Sequence, residues 1–124
     1  MKKIFFVTAT NTDIGKTYAC EIFLNKFAKD SKKVGYFKPI ETGVKSKPKD
    51  GVKVLSIAKR LNKDFNFNID DIVPYQFSLP AAPFVAKKDK KIDINFILNQ
   101  IQKLLKSCDT LIIEGAGGLM VPIE

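Results

Sequence analysis

Three features of the sequence predict a three-layer α/β fold with a parallel sheet. Ile4-Phe5-Phe6-Val7 and Thr110-Leu111-Ile112-Ile113 are short continuous apolar runs, the pattern of strands buried on both faces of such a sheet. Between them lie segments whose apolar residues recur every three or four positions, as in helices that cover a sheet. Polar, glycine-bearing stretches follow directly on the strand ends, where open α/β sheets bind their ligands. With 124 residues, 45% of them hydrophobic, the chain has material for one core, so residues 1–124 read as one domain.

The elements follow in order. After the first strand a polar loop leads into a helix from Lys16 to about Asp30, whose apolar face is expected to include Ala19, Ile22, Phe23 and Phe27. Val34-Gly35-Tyr36-Phe37 reads as the second strand, ending at Lys38-Pro39. A lysine-rich loop, Val44 to Lys49, precedes a helix from about Asp50 to Leu61, with Val54, Leu55, Ile57, Ala58 and Leu61 on one side. Pro74, Pro80 and Pro83 exclude a continuous helix through the next stretch. Asp93 opens a third helix with Ile94, Ile97, Leu98, Ile101, Leu104 and Leu105 at helical spacing to about Ser107. Thr110 to Ile113 is the third strand.

Composition removes several function classes. The net charge of +8 is almost all lysine, with Arg60 the only arginine, and the lysines are spread along the chain. Nucleic-acid readers favour clustered charge and arginine forks, so the charge reads as a solvated basic surface and no nucleic-acid partner is expected. No apolar run reaches the roughly eighteen residues of a membrane span, and the start does not resemble a signal peptide, which together predict a cytoplasmic protein without a membrane partner. Cys20 and Cys108 are far apart and there is no histidine, so neither a zinc site nor a disulfide framework is suggested and both read as reduced, partly buried thiols.

The chemistry-bearing motifs sit at strand ends. Thr8 to Thr17 contains Thr12-Asp13-Ile14-Gly15-Lys16-Thr17 between the first strand and the first helix. A loop there aims backbone N–H groups and the helix N-terminus at phosphate oxygens, with Lys16 reaching the β- and γ-phosphates and the Thr17 hydroxyl available to Mg²⁺. The usual spacing would put a glycine where Thr10 stands. Glu114-Gly115-Ala116-Gly117-Gly118 follows the third strand; a carboxylate at such a tip can hold Mg²⁺, and the glycines admit a ligand close to backbone. The third motif is Lys38-Pro39-Ile40-Glu41-Thr42-Gly43, in which Glu41 reads as a loop carboxylate rather than a catalyst.

These three motifs, in this order, resemble the dethiobiotin synthetase family, which carries a Thr-x-Thr-x-x-Gly-Lys-Thr loop, Lys-Pro-x-x-[Ser/Thr]-Gly, an aspartate opening the next helix, and Glu-Gly-Ala-Gly-Gly. The resemblance runs from Ile4 to Ile123 and takes in Pro80-Ala81-Ala82-Pro83, which is similar to the family's substrate loop. Ala9 and Phe84 stand where many members have glycine and histidine. The resemblance implies a P-loop NTPase fold and an ATP- and Mg²⁺-dependent cyclo-ligase that makes dethiobiotin from 7,8-diaminononanoate and CO₂ or bicarbonate. It further implies Lys38 and Lys16 as catalytic groups, Thr42 as a substrate contact, and Thr17, Asp50 and Glu114 as metal ligands. ATP would be bound by Thr12 to Tyr18, Asp50 and Glu114 to Gly117. Asp50 can equally be read as a helix N-cap.

Family members run on beyond the Glu-Gly-Ala-Gly-Gly strand, so the chain reads as an N-terminal portion, truncated after the third strand and lacking base-binding elements. The P-loop fold that the resemblance implies gives the strand order two, three, one, which leaves the first strand as a bared apolar edge, and a homodimer is implied for the whole protein. Two other classes share the phosphate loop. A different P-loop amide-forming synthase should lack the Lys38 to Gly43 motif, and a partitioning-type ATPase switch should act by ATP-dependent association without a small-molecule substrate.

Overall fold

The computed structural model describes residues 2–8, 15–78 and 92–115. Its elements are β1 (Lys3–Val7), α1 (Gly15–Lys29), β2 (Val34–Phe37), β3 (Ile40–Glu41), α2 (Lys49–Leu61), α3 (Ile69–Ile72), β4 (Tyr75–Gln76), α4 (Ile94–Leu104) and β5 (Thr110–Glu114). The predicted alternation of strands and helices is present.

The main sheet has the order β1-β5-β2, all parallel, as expected. Thr110 lies opposite both Lys3 and Val34, so the three strands run in step and their carboxyl ends come together at Val7, Phe37 and Glu114. The central strand β5 is buried at all five positions and β2 at all four. Strand β1 is not buried on both faces as its apolar run suggests, and is instead the apolar edge that the strand order two, three, one implies. Ile4, Phe5 and Phe6 are 50%, 39% and 61% exposed. Among the described residues β1 pairs only with β5 and is an edge strand, with Phe27 of α1 stacked on Phe5.

The buried stripe of α1 is also rotated from the one expected. Lys16, Thr17, Cys20 and Leu24 point inward, while Ile22 and Phe23 are 46% and 39% exposed. The helix thereby directs a polar first turn and a thiol at the strand ends, at the expense of two large apolar groups left in water. On α2 the expected face holds: Val54, Leu55 and Ala58 are buried, with Ile57 and Leu61 packed against the core. The cap at Asp93 also holds, its carboxylate accepting from the N–H groups of Asn95 and Phe96, but Ile94 and Leu98 of α4 are exposed rather than buried.

Pro39 carries no N–H and ends β2, and the chain turns into a second, two-stranded parallel sheet of β3 with β4. The N–H groups of Lys38, Tyr75 and Phe77 donate to the carbonyls of Ile72, Pro39 and Glu41 at 3.0, 3.1 and 2.9 Å. This small sheet was not expected from the sequence, and it fixes the Lys38 to Gly43 segment over α2. Gly51, in the first turn of α2, allows the closeness: a Cβ there would stand 2.4 Å from Val73 Cγ2. Both cysteines are free and buried, more deeply than expected, and burial pushes the Cys108 thiol up to about 11.

Candidate active site

Parallel register brings three strand ends and the head of α1 to one place, and Glu114 is its centre. As the last residue of β5 it stands opposite Val7, and its side chain is 1% exposed. The next N–H, of Gly115, still donates to the Val7 carbonyl at 2.9 Å, so the backbone around the carboxylate is held on both sides.

Strand alternation supplies two partners. Tyr36 and Lys38 are two residues apart and share a face of the sheet at the end of β2. The Tyr36 hydroxyl donates to Glu114 Oε1 at 2.8 Å, and the Lys38 ammonium donates to Oε2 at 3.0 Å. Helical spacing supplies the others: the Thr17 hydroxyl donates to Oε2 at 3.1 Å, and Cys20, three residues on, faces the same carboxylate. Burial first, and then the Glu114 charge, push both the Cys20 thiol and the Tyr36 phenol well above their ordinary values, so both stay protonated donors. Lys16, 5% exposed, donates to the Gly115 carbonyl at 2.8 Å.

The two lysines bring two positive charges to the Glu114 carboxylate, at the mouth of a helix whose first turn, Gly15 to Tyr18, holds no acid. That field favours a polyanion. Oxygen donors suit Mg²⁺, which binds through one or two protein oxygens together with phosphates and water. Thr17 Oγ1 and Glu114 Oε2 fit such an ion, and the Lys38 ammonium already marks Oε2 as a cation's neighbour.

Lys16, Thr17, Lys38 and Glu114 of the expected site residues are thus together, with Gly15 and Gly115 beside them. Asp50 is exposed in the first turn of α2, and among the described residues no cluster of three or more acidic or sulfur groups forms a metal site. Glu41 takes the cap position that Asp50 could have filled: its buried carboxylate accepts from the N–H groups of Asp50 and Gly51 at 3.2 and 2.9 Å. Thr42 is half-buried at the end of β3, and Tyr18 is 65% exposed along the outer side of α1. Thr12, Asp13, Ile14, Ala116, Gly117, the Pro80 to Pro83 segment and Phe84 lie outside the described residues. Tyr36 and Cys20 were not anticipated, although their spacing from Lys38 and Lys16 puts them on the site's faces; within apolar runs they read as core.

A family profile described as an AAA domain matches residues 3–124. The chain belongs to that family. The resemblance seen in the motifs also holds across nearly all of this chain, for it is similar to curated proteins named ATP-dependent dethiobiotin synthetase BioD. It is 44% identical to the one from Sulfurovum sp. (strain NBC37-1) over 119 residues, covering 95% of this chain and 57% of the relative. It is 36% identical to that of Wolinella succinogenes over 98% of this chain and 57% of the relative. For Hydrogenobaculum sp. (strain Y04AAS1) the figures are 40%, 98% and 52%. The chain therefore spans about half the length of these relatives. The fold is the α/β P-loop architecture of the AAA domain family.

Proposed function

We propose that the protein is an ATP- and Mg²⁺-dependent cyclo-ligase that closes the ureido ring of dethiobiotin from 7,8-diaminononanoate and CO₂. The observation that carries this reading is the buried Lys38–Glu114–Thr17 cluster beside Lys16, at the strand ends of a chain similar to dethiobiotin synthetases.

In this reading one substrate amine takes up CO₂ as a carbamate. A carbamate oxygen attacks the γ-phosphorus, and ADP leaves. The second amine then attacks the carbonyl of the mixed anhydride, releasing phosphate and closing the ring. Phosphoryl transfer of this kind depends on positioning and charge neutralisation. Lys16 neutralises the β- and γ-phosphates, and Lys38, at the end of β2, gathers the carbamate and the transferring phosphoryl group. Thr17 and Glu114 would hold Mg²⁺, with Asp50 contributing from the head of α2, and the ion supplies further neutralisation of phosphate oxygens. Thr42, four residues beyond Lys38, would donate to the carbamate or an amine. Gly15 to Thr17, Glu114 and Gly115 would line the nucleotide's phosphates, and the flanking Thr12 to Ile14, Tyr18, Ala116 and Gly117 would complete the ATP-binding segments that the likeness implies. A cytoplasmic homodimer accords with the same likeness and with an ATP-consuming reaction.

The test is product formation. Supplied with 7,8-diaminononanoate, bicarbonate, ATP and Mg²⁺, the enzyme should yield dethiobiotin and ADP in equal amounts by mass spectrometry. ADP release that does not depend on the diamine would point to a switch ATPase, and a different amide product to another synthase.

A further inference from the structure

The hydrogen bonds of Thr17, Lys38 and Tyr36 to Glu114 divide by oxygen. Oε2 accepts from Thr17 and Lys38, the groups that the proposed reaction uses, whereas Oε1 accepts from the Tyr36 hydroxyl at 2.8 Å inside the core, and the Cys20 thiol also donates to the carboxylate. Tyr36 is fully buried on β2, opposite Ile112 of β5. A carboxylate with one oxygen fixed cannot exchange its two oxygens by rotating about its terminal torsion. Such outer partners orient metal ligands and tune them.

We propose that Tyr36 is a positioning residue that locks the Glu114 carboxylate so that Oε2 is presented to Thr17, Lys38 and the nucleotide-bound metal ion. The proposal rests on the nucleotide-site reading above and adds a residue outside the motifs that define that site. Tyr36 touches neither substrate nor phosphate; its effect passes through Glu114. Loss of the hydroxyl leaves Oε1 in the core without its donor. The carboxylate then rotates toward the remaining donors, and its orientation toward the metal is lost.

The experiment is calorimetric titration of the enzyme with ADP, in Mg²⁺ and in chelator, for wild type and Tyr36→Phe, with a thermal melt of each. The Phe ring keeps the packing and removes one oxygen. The strengthening of ADP binding by Mg²⁺ should fall about 10-fold or more, the usual size of an outer-partner effect, while affinity in chelator stays within about 2-fold. In a Glu114→Gln background Tyr36→Phe should then change the Mg²⁺ dependence no further. Equal weakening in Mg²⁺ and chelator, no weakening in either, or loss of folding would each make the hydroxyl a structural group and overturn the proposal. Failure of the wild type to bind ADP at all would instead overturn the nucleotide-site reading.

Discussion

The Lys38 ammonium lies 3.0 Å from Glu114 Oε2, and the two side chains are 5% and 1% exposed. A pair this deeply buried gains stability mainly by not being broken, because either charge left alone in the core is costly. Lys38→Met should therefore destabilise the fold by about 3–5 kcal/mol in denaturant unfolding, and Lys38→Met with Glu114→Gln should recover much of the loss. The same double variant should remain inactive. Full recovery of turnover would assign Lys38 to stability only.

For catalysis the prediction is sharper in its direction than in its size. Lys38→Ala should lower kcat by about 100-fold or more while changing the KM for ATP little, since its charge acts on groups present during transfer. Steady-state kinetics decide it. An unchanged kcat returns Lys38 to an ordinary strand-end lysine.

Lys16→Ala should abolish ATP-dependent turnover. Lys16 is buried against the Gly115 carbonyl at 2.8 Å, so it stands at the head of α1 beside the carboxylate rather than in solvent. Removing it takes the charge that faces the β- and γ-phosphates. Turnover near the parent level would remove the phosphate-loop assignment.

What was legible in the sequence was the part written in strand ends. Glu114 follows a continuous apolar run and Lys38 follows another, and because parallel strands run in step, the two motifs had to meet. The order two, three, one came instead from the likeness to P-loop folds, and the sheet has it. The misses have physical causes. Tyr36 carries a polar tip on an apolar body, and at a strand position it is indistinguishable from core until its partner's register is known. Ile22 and Phe23 were assigned to the buried face of α1 by hydrophobicity, but the helix is oriented by Thr17, Cys20 and Leu24, which put a hydroxyl and a thiol on Glu114. The β3–β4 pair has only two residues per strand, too short to leave a periodic signal.

Glu41 predicts a pH dependence. Burial holds its carboxyl above the usual carboxylate range, against the pull of the Gly51 N–H, Lys38 and the Asp50 N–H. With the folded value above the unfolded one, the folded state keeps the proton longer. This group's contribution is most favourable in acid and is lost as pH rises from the unfolded value through the folded one. Glu41→Gln keeps an oxygen for the Gly51 N–H and removes the titration, so it should flatten that slope. Glu41→Ala should instead cost about 1–3 kcal/mol at all pH, because the buried Gly51 N–H loses its acceptor. Urea unfolding from pH 4 upward, in steps of about one unit, separates the two.

The edge strand gives the last prediction. Ile4, Phe5 and Phe6 are exposed side by side on β1, whose only partner among the described residues is β5. An apolar edge with free backbone groups is a template for pairing with another chain. The 124-residue chain should therefore associate in solution, with sedimentation coefficients that rise with concentration. Phe6, the most exposed of the three at 61%, has its ring beside Gly115 at the border of the site, and Phe6→Lys places a charge on the edge. It should shift the chain toward monomer while the thermal melt changes by only a few degrees, since little buried area is lost. A wild-type chain that sediments as a monomer at all concentrations would show that the edge is protected, and equal association of Phe6→Lys would place the contact elsewhere on the surface.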